Sequence, residues 1–165
     1  MNINKILFIT AFLFLSKLSN AQEAVIFTKK NVIYGEFLGR GLSFTANYDR
    51  IFTQKGRFKF GGRIGLAGWG SGSNARSYFS IPMGLNFLFG ANKHHFEFGV
   101  GLTWFQETNW NGKNTYFSPN ATIGYRLQKP DGGFFVNPTL NLILTSPLNE
   151  GFFFPYPGVG IGYSF

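Results

Sequence analysis

Downstream of residue 40, the chain alternates between apolar and small or polar residues with a period of two. The alternation is clearest at the carboxyl end, where Val159, Ile161, Tyr163 and Phe165 alternate with glycine and serine. Six stretches upstream show the same split, each about 10 to 13 residues long, the length a tilted strand needs to cross a bilayer. Because neighbouring side chains of a strand point to opposite faces, this pattern predicts an all-β protein.

Side-chain volume decides which face of these strands points inward. One face carries Phe, Leu, Ile, Tyr and Trp, whereas the other carries Gly, Ser, Thr and Asn. An eight-stranded barrel is just wide enough for its own small side chains, so the large apolar face must lie outside. A soluble, lipocalin-like barrel would need a polar exterior. The pattern therefore predicts a transmembrane antiparallel up-and-down β-barrel with its aromatic face in lipid.

The number of strands follows from parity. An exported chain starts in the periplasm and should end there, which requires an even number. About seven strands follow Gly41, so residues 31–38 are predicted to form the eighth, turning back at Gly39-Arg40-Gly41. The alternative is one long, glycine-kinked strand over residues 31–52.

Residues 1–21 are predicted to be a cleaved signal peptide. Lys5 provides the basic start, an apolar run of about ten residues follows, and Ser19-Asn20-Ala21 supplies small residues for cleavage between Ala21 and Gln22. The run is too short for a membrane-spanning helix, which needs about 20 residues. Residues 22–165 are then one barrel domain, 144 residues long (165 minus 21).

Turn-forming residues sort into two groups. Residues 53–56, 91–94 and 129–133 predict short periplasmic turns, and residues 70–77, 107–114 and 146–153 predict longer outer loops. Pro82, Pro119 and Pro138 lie inside predicted strands. Because proline cannot donate to the ladder, we expect local bulges there.

The composition and net charge of the sequence indicate which classes of binding partner to expect. Without Lys5 and Lys17, the chain has 13 basic residues against 7 acidic ones, a net charge of +6. The exported compartment argues against nucleic acid, so lipopolysaccharide phosphates and membrane lipid are the expected anionic neighbours of a monomeric barrel. The sequence has no Cys, which excludes disulfides and thiolate metal sites.

Six charged residues are predicted to face the barrel interior. They are three acids and three bases: Glu36, Asp49, Glu97, Lys59, Arg63 and Arg126. We expect Asp49 beside Lys59, Glu97 diagonal to Arg126, and Glu36 at the height of Arg63. Because buried charges are tolerable only when paired, the leading interpretation is an ion-pair network that fills the lumen. The alternative is a polar conduction path for ions or small solutes.

A lipid-modifying enzyme is a further alternative, and the histidines argue against it. Such catalysis would need a His near Ser and an acid at the outer rim, but His94 and His95 lie at a predicted periplasmic turn. Adjacent strand residues point to opposite faces, so this pair is also a poor metal site. The glycine-rich residues 68–73 lack the Lys-Ser/Thr of a phosphate loop. We expect no catalysis, no metal and no cofactor.

Aromatic residues predict an interface at the outer rim. Trp69, Trp104 and Trp110 fall where a membrane-interface girdle is expected. The alternative is a receptor surface made by a group of aromatic and basic residues: Trp110, Tyr116, Phe152, Phe153, Phe154, Tyr156, Arg76 and Lys113. The sequence thus favours a structural or surface-binding barrel whose ligand or protein partner it does not identify.

Both ends of the predicted barrel domain resemble known proteins. The final residues 159–165, with apolar Val159, Ile161 and Tyr163 before an aromatic Phe165, resemble the carboxyl-terminal signal of Gram-negative outer-membrane proteins. Residues 41–50 are similar to a segment near the start of small, mostly uncharacterised outer-membrane barrels. The resemblance implies an eight-stranded barrel in a Gram-negative outer membrane, assembled by the barrel-assembly machinery, and implies no activity.

Overall fold

The computed structural model describes residues 25–71, 76–110, 112–144 and 154–165. Eight strands and one short 3-10 helix, η1 (Gly39–Gly41), make up the fold. The strands are β1 (Asn31–Leu38), β2 (Phe44–Lys55), β3 (Phe58–Ser71), β4 (Arg76–Ala91), β5 (His94–Asn109), β6 (Gly112–Gln128), β7 (Gly133–Ile143) and β8 (Phe154–Ser164). The predicted signal peptide and its cleavage site lie outside the described residues.

The strands form a closed antiparallel barrel in which each strand pairs with its neighbours in sequence. Closure comes from β1 and β8, which pair from Val32↔Ser164 to Leu38↔Gly158. The predicted up-and-down barrel of eight strands is confirmed. The alternative of one strand over residues 31–52 is wrong, because η1 reverses the chain between Leu38 (φ 60°) and Leu42 (φ 67°).

The two ends of the barrel differ in their connections. At one end, here called the terminal end, residues 25–30 and Phe165 lie beside the turns at residues 56–57, 92–93 and 129–132. The opposite end, the distal end, carries η1 and the connections between β3 and β4, β5 and β6, and β7 and β8. The predicted loop over residues 146–153 lies outside the described residues.

One predicted outer loop is mostly strand. Residues 107–114 continue the β5–β6 ladder as far as Asn109↔Gly112. Side-chain alternation fades there, but main-chain pairing needs no apolar side chains, so the hairpin extends beyond the predicted strand ends.

Exposure alternates along the strands as the sequence predicts. Outward side chains are large and apolar, with Phe44 61% and Tyr48 39% exposed, whereas Thr45 and Asn47 between them on β2 are buried. The interior also holds apolar residues that the pattern did not predict: Val32, Tyr34, Leu42, Ile51, Leu88, Phe105, Phe135 and Ile143. Within the described residues, no helix is long and apolar enough to span a bilayer.

The prolines interrupt the ladder without shifting its register, so the predicted bulges are wrong. Pro119 pairs in register with Leu102, and Pro138 with Val159. The missing N–H leaves the paired residues on either side in place, because the pleat continues through the proline. The described ladders shift register between Ile51 and Thr53 of β2 instead.

Candidate functional site in the barrel interior

Strand alternation places five of the six predicted charged residues in the middle of the barrel. Glu36, Asp49, Arg63, Glu97 and Arg126 occupy inward positions of β1, β2, β3, β5 and β6, and each is at most 4% exposed. Full burial of a charge is costly unless a partner of opposite charge is in contact.

Arg126 holds two carboxylates from different strands. Its Nε donates to Glu97 Oε2 at 2.7 Å, and its two terminal nitrogens donate to Asp49 Oδ1 and Oδ2 at 3.0 and 2.8 Å. Asp49 lies on β2, which is not a neighbour of β6, so this bidentate pair bridges the interior. Asn86 donates to Asp49, and Asn137 donates to Glu97 Oε2 at 3.1 Å.

A second ion pair joins β1 to β3 across β2. Arg63 donates to Glu36 Oε2 at 2.7 Å and to Asn47 Oδ1 at 3.0 Å from the same terminal nitrogen. The Arg63 guanidinium also lies 5.7 Å from the centre of the Tyr34 ring. The contacts of Arg63 with Glu36 and of Arg126 with Glu97 are the ones expected from the sequence.

The predicted contact between Asp49 and Lys59 is wrong. Lys59 pairs with Gln54, whereas Asp49 pairs with Arg63, because β2 runs to Lys55 and shifts register after Ile51. Lys59 is buried near the terminal end, where Nζ donates to Gly90 O at 3.2 Å and lies 5.0 Å from the Phe27 ring centre.

Arg40 is a further cation of this network, which the sequence pattern did not assign to the interior. η1 folds into the barrel and buries Arg40 completely. Its Nε donates to Thr122 Oγ1 at 2.6 Å, and a terminal nitrogen lies 3.9 Å from Glu97 Oε1. Thr103 Oγ1 donates to the Arg40 carbonyl at 3.2 Å, which holds the turn itself.

Glycines opposite η1 leave the space that it occupies. A Cβ on Gly99 would lie 2.6 Å from an Arg40 terminal nitrogen, and one on Gly158 would lie 3.0 Å from Gly39 Cα. Sequence reasoning treated Arg40 as an ordinary turn residue, because alternation does not reveal a turn that folds back into its own barrel. Among the described residues, the ionic network in the middle of the interior thus consists of three carboxylates and three arginines.

Apolar clusters occupy both ends of the interior. At the terminal end, Phe27 packs with Ile51 and Leu88, and its ring lies edge-on to His95 at 5.3 Å. Phe27 N donates to Gln54 Oε1 at 2.9 Å, which fixes the segment before β1. At the distal end the cluster consists of Leu42, Phe105, Ile143 and the partly buried Tyr116 and Tyr156.

Comparisons with known proteins support the fold. No family model matches the chain, and no curated protein sequence matches it. The amino-terminal β-barrel domain of Pseudomonas aeruginosa OprF superimposes with a TM-score of 0.53 at 15% identity, covering 82% of this chain and 96% of that domain. This chain has the fold of a small eight-stranded outer-membrane β-barrel. Ail, the attachment invasion locus protein of Yersinia pestis, matches with a TM-score of 0.44 at 11% identity, over 82% of this chain and 94% of Ail.

The outer-membrane-type barrel places its two histidines in different surroundings. His94 is exposed at the terminal end, where Nδ1 contacts the Tyr125 hydroxyl. His95 is buried against Phe27. Among the described residues, no group of three or more His, Asp or Glu is arranged to hold a metal ion.

The predicted outer aromatic surface divides into two parts. Trp110 is 83% exposed at the tip of the β5–β6 hairpin, next to exposed Lys113. Tyr116 stacks on Phe105 at 5.3 Å and belongs to the distal interior cluster, together with Tyr156. Trp104 is half-buried, Trp69, Arg76 and Phe154 lie in strands, and Phe152 and Phe153 lie outside the described residues.

The carboxyl-terminal residues quoted for barrel assembly all face outward. Val159, Ile161, Tyr163 and Phe165 are exposed on β8 and at its end. Their recognition by the barrel-assembly machinery stays a prediction.

Proposed function

We propose that this chain is a non-enzymatic, monomeric barrel that spans the outer membrane of a Gram-negative bacterium with its lumen closed to solutes. Its role is structural, or it binds a partner through the distal surface. The observation that carries the proposal is the contrast between an apolar outer wall and a charged, mutually paired interior.

The outer wall supports membrane insertion. Large apolar side chains are exposed on all eight strands, from Ile33 on β1 to Ile161 on β8. Soluble monomers rarely expose apolar patches above a few hundred Å², whereas a band around the whole barrel is what a hydrocarbon core requires.

The interior contacts support a closed lumen. In the middle of the lumen, Arg126 donates to the carboxylates of Asp49 and Glu97. Arg40 of η1 lies 3.9 Å from Glu97 as well. Apolar side chains occupy the interior above and below this ionic layer. A solute would have to displace both kinds of contact, and an eight-stranded barrel has little width to spare.

The distal β5–β6 hairpin supports a surface role. Pairing between β6 and β7 begins at Asn120↔Ile143, whereas β5 and β6 remain paired to Asn109↔Gly112. Among the described residues, the hairpin extends beyond the end of β7 at Ile143, and Trp110 and Lys113 are exposed near its tip. Tryptophan is enriched among the residues that contribute most of the binding energy at protein interfaces, so Trp110 is the candidate anchor for a protein partner.

The positions of the histidines support a non-enzymatic role. Acyl-lipid chemistry in the outer leaflet would need a base at the distal end, yet His94 and His95 begin β5 at the terminal end. His95 is buried against Phe27, away from any lipid.

The test is to express the full chain in a Gram-negative host and purify it from the membranes. A closed membrane barrel should be found in the outer-membrane fraction, migrate differently before and after boiling, and show β-type circular dichroism. A protein found in the soluble periplasm, or one whose mobility boiling does not change, would contradict the proposal.

A matched pair of variants sharpens the test of membrane insertion. Ile123 faces outward in the middle of β6, whereas Asn114 is exposed near the distal end of the same strand. Ile123→Arg should lower the folded fraction in lipid vesicles, because an arginine at the bilayer midplane costs about 2–4 kcal/mol. Asn114→Arg should leave that fraction unchanged, and equal behaviour of the two variants would count against the proposed membrane position.

A further inference from the structure

The charges outside the barrel interior are distributed unequally between the two ends. Seven basic residues, here called the basic ring, lie at the terminal end: Lys29, Lys30, Arg50, Lys55, Arg57, Lys93 and Lys129. Asp131 is the acidic side chain among them, and the carboxyl terminus at Phe165 adds a second negative charge. At the distal end, the described charged side chains are Glu107 and Lys113, which balance each other.

The basic ring follows the whole circumference of the barrel. Lys29 and Lys30 precede β1, and Arg50 pairs with Asn31 at the start of that strand. The three turns at this end contribute one or more cations each, and Lys55, Lys93 and Lys129 are exposed there. A soluble protein partner would contact one side of the barrel, whereas a lipid leaflet surrounds all of it.

Exposed aromatic side chains lie beside the basic ring. Phe89 and Phe96 flank the turn that contains Lys93, and Tyr125 and Phe134 flank the turn that contains Lys129. Aromatic rings concentrate at membrane interfaces, and lysine and arginine next to them reach the headgroup level. The ring is therefore placed at the height of lipid phosphates.

We propose that the basic ring binds the headgroups of anionic phospholipids in the leaflet around the terminal end. This inference rests on the proposed membrane-spanning barrel and adds a lipid class and a leaflet to it. Each cation near an anionic surface attracts it independently, so seven of them around the barrel should collect a shell of anionic lipid. Contact with lipopolysaccharide at the distal end stays a separate prediction, which among the described side chains rests on Lys113.

The test compares lipid enrichment around the purified full chain in micelles containing equal amounts of phosphatidylglycerol and phosphatidylcholine. Native mass spectrometry counts the lipids of each kind that remain bound. Wild type should retain phosphatidylglycerol preferentially. The triple variant Lys55→Gln, Lys93→Gln and Lys129→Gln should lose about eightfold or more of this preference, since each cation contributes roughly a two- to fivefold factor independently.

Two lysines at the ends of the same strand provide the matched control. Lys113 lies at the distal end of β6 and Lys129 directly follows its terminal end, and both are exposed. Lys129→Gln should reduce the preference about two- to fivefold, whereas Lys113→Gln should leave it unchanged. The preference should also weaken in about 0.5 M salt, because screening shortens the range of the attraction.

Three results would overturn the inference: no preference in wild type, an unchanged preference in the triple variant, or equal effects of Lys113→Gln and Lys129→Gln. The mobility shift on boiling is measured on each sample. If wild type shows no shift, the membrane barrel itself is contradicted and this inference fails with it. If the shift is present without a lipid preference, the lipid inference fails alone.

Discussion

A buried cation is stabilised by different partners in the middle of the barrel interior and at its terminal end. Arg126 in the middle makes charge-assisted hydrogen bonds to two carboxylates, at 2.7 to 3.0 Å. Lys59 at the terminal end is equally buried, yet it contacts the Gly90 carbonyl and the face of Phe27, and it has no carboxylate within 4.0 Å among the described residues.

This difference teaches that burial alone does not measure the importance of a charge. Removing a cation that neutralises two carboxylates leaves those charges buried without compensation, which is costly. Removing a cation that faces a ring and a carbonyl leaves only a neutral acceptor behind. Lys59 and Arg126 should therefore respond very differently to substitution by methionine.

The largest effect is expected for Arg126→Met. This change leaves Asp49 without its bidentate partner, and it leaves Glu97 with Arg40, at 3.9 Å, as its cation and with the hydrogen bond from Asn137. The free energy of unfolding should therefore fall by about 3–5 kcal/mol. Urea titration in lipid vesicles, followed by mobility before boiling, measures it. The triple variant Asp49→Asn, Glu97→Gln and Arg126→Met should regain part of the loss; if it regains none, the damage does not come from uncompensated charge.

A smaller loss is expected for Leu88→Ala at the terminal end. Leu88 is buried with Phe27 and Ile51, so truncation removes apolar contacts and should cost about 2–3 kcal/mol in the same titration. Leu85→Ala is the control, because Leu85 lies on the same strand and faces outward. Equal losses for the two variants would show that the interior cluster contributes nothing specific.

Arg40→Gln should lower the free energy of unfolding by less than Leu88→Ala does. The change removes a cation at 3.9 Å from Glu97 and the hydrogen bond to Thr122, while Arg126 still neutralises Glu97. We expect a loss of about 1–2 kcal/mol by urea titration. A loss as large as that of Arg126→Met would contradict the view that Arg126 is the centre of the network.

The smallest effect is expected for Lys59→Met. The new side chain would lie beside Phe27 and keep the volume of the lysine stem, and no carboxylate in the described residues loses a partner. The free energy of unfolding should change by less than about 1 kcal/mol, or rise. A loss of more than about 3 kcal/mol in the free energy of unfolding would contradict the difference expected between Lys59 and Arg126.

The sequence allowed the wall of the barrel to be predicted better than its interior. Alternation is a local signal, so the inward positions of Asp49 and Glu97 followed directly from it. The number of strands followed from export and parity, and β1 was found although its alternation is weak. Strand pairing across a closed barrel also placed Arg63 near Glu36 and Arg126 near Glu97.

The features that could not be predicted depend on contacts between distant parts of the chain. β2 continues through the predicted turn as far as Lys55, so Lys59 pairs with Gln54 and lies away from Asp49. Nothing in the alternation marks this extension or the one-residue bulge after Ile51. The inward course of η1 depends on space left by Gly99 and Gly158 on strands far away in sequence. Tyr116 belongs to the interior because it stacks on Phe105, which alternation alone did not reveal.

The most direct test of a closed lumen is the conductance of the purified full chain in planar lipid bilayers. The account predicts that wild type inserts without producing stepwise current, because the paired charges in the middle and the apolar clusters towards both ends should leave no continuous path for ions. Reproducible current steps from wild-type protein, confirmed as folded by its mobility before boiling, would contradict the closed lumen and favour a narrow pore.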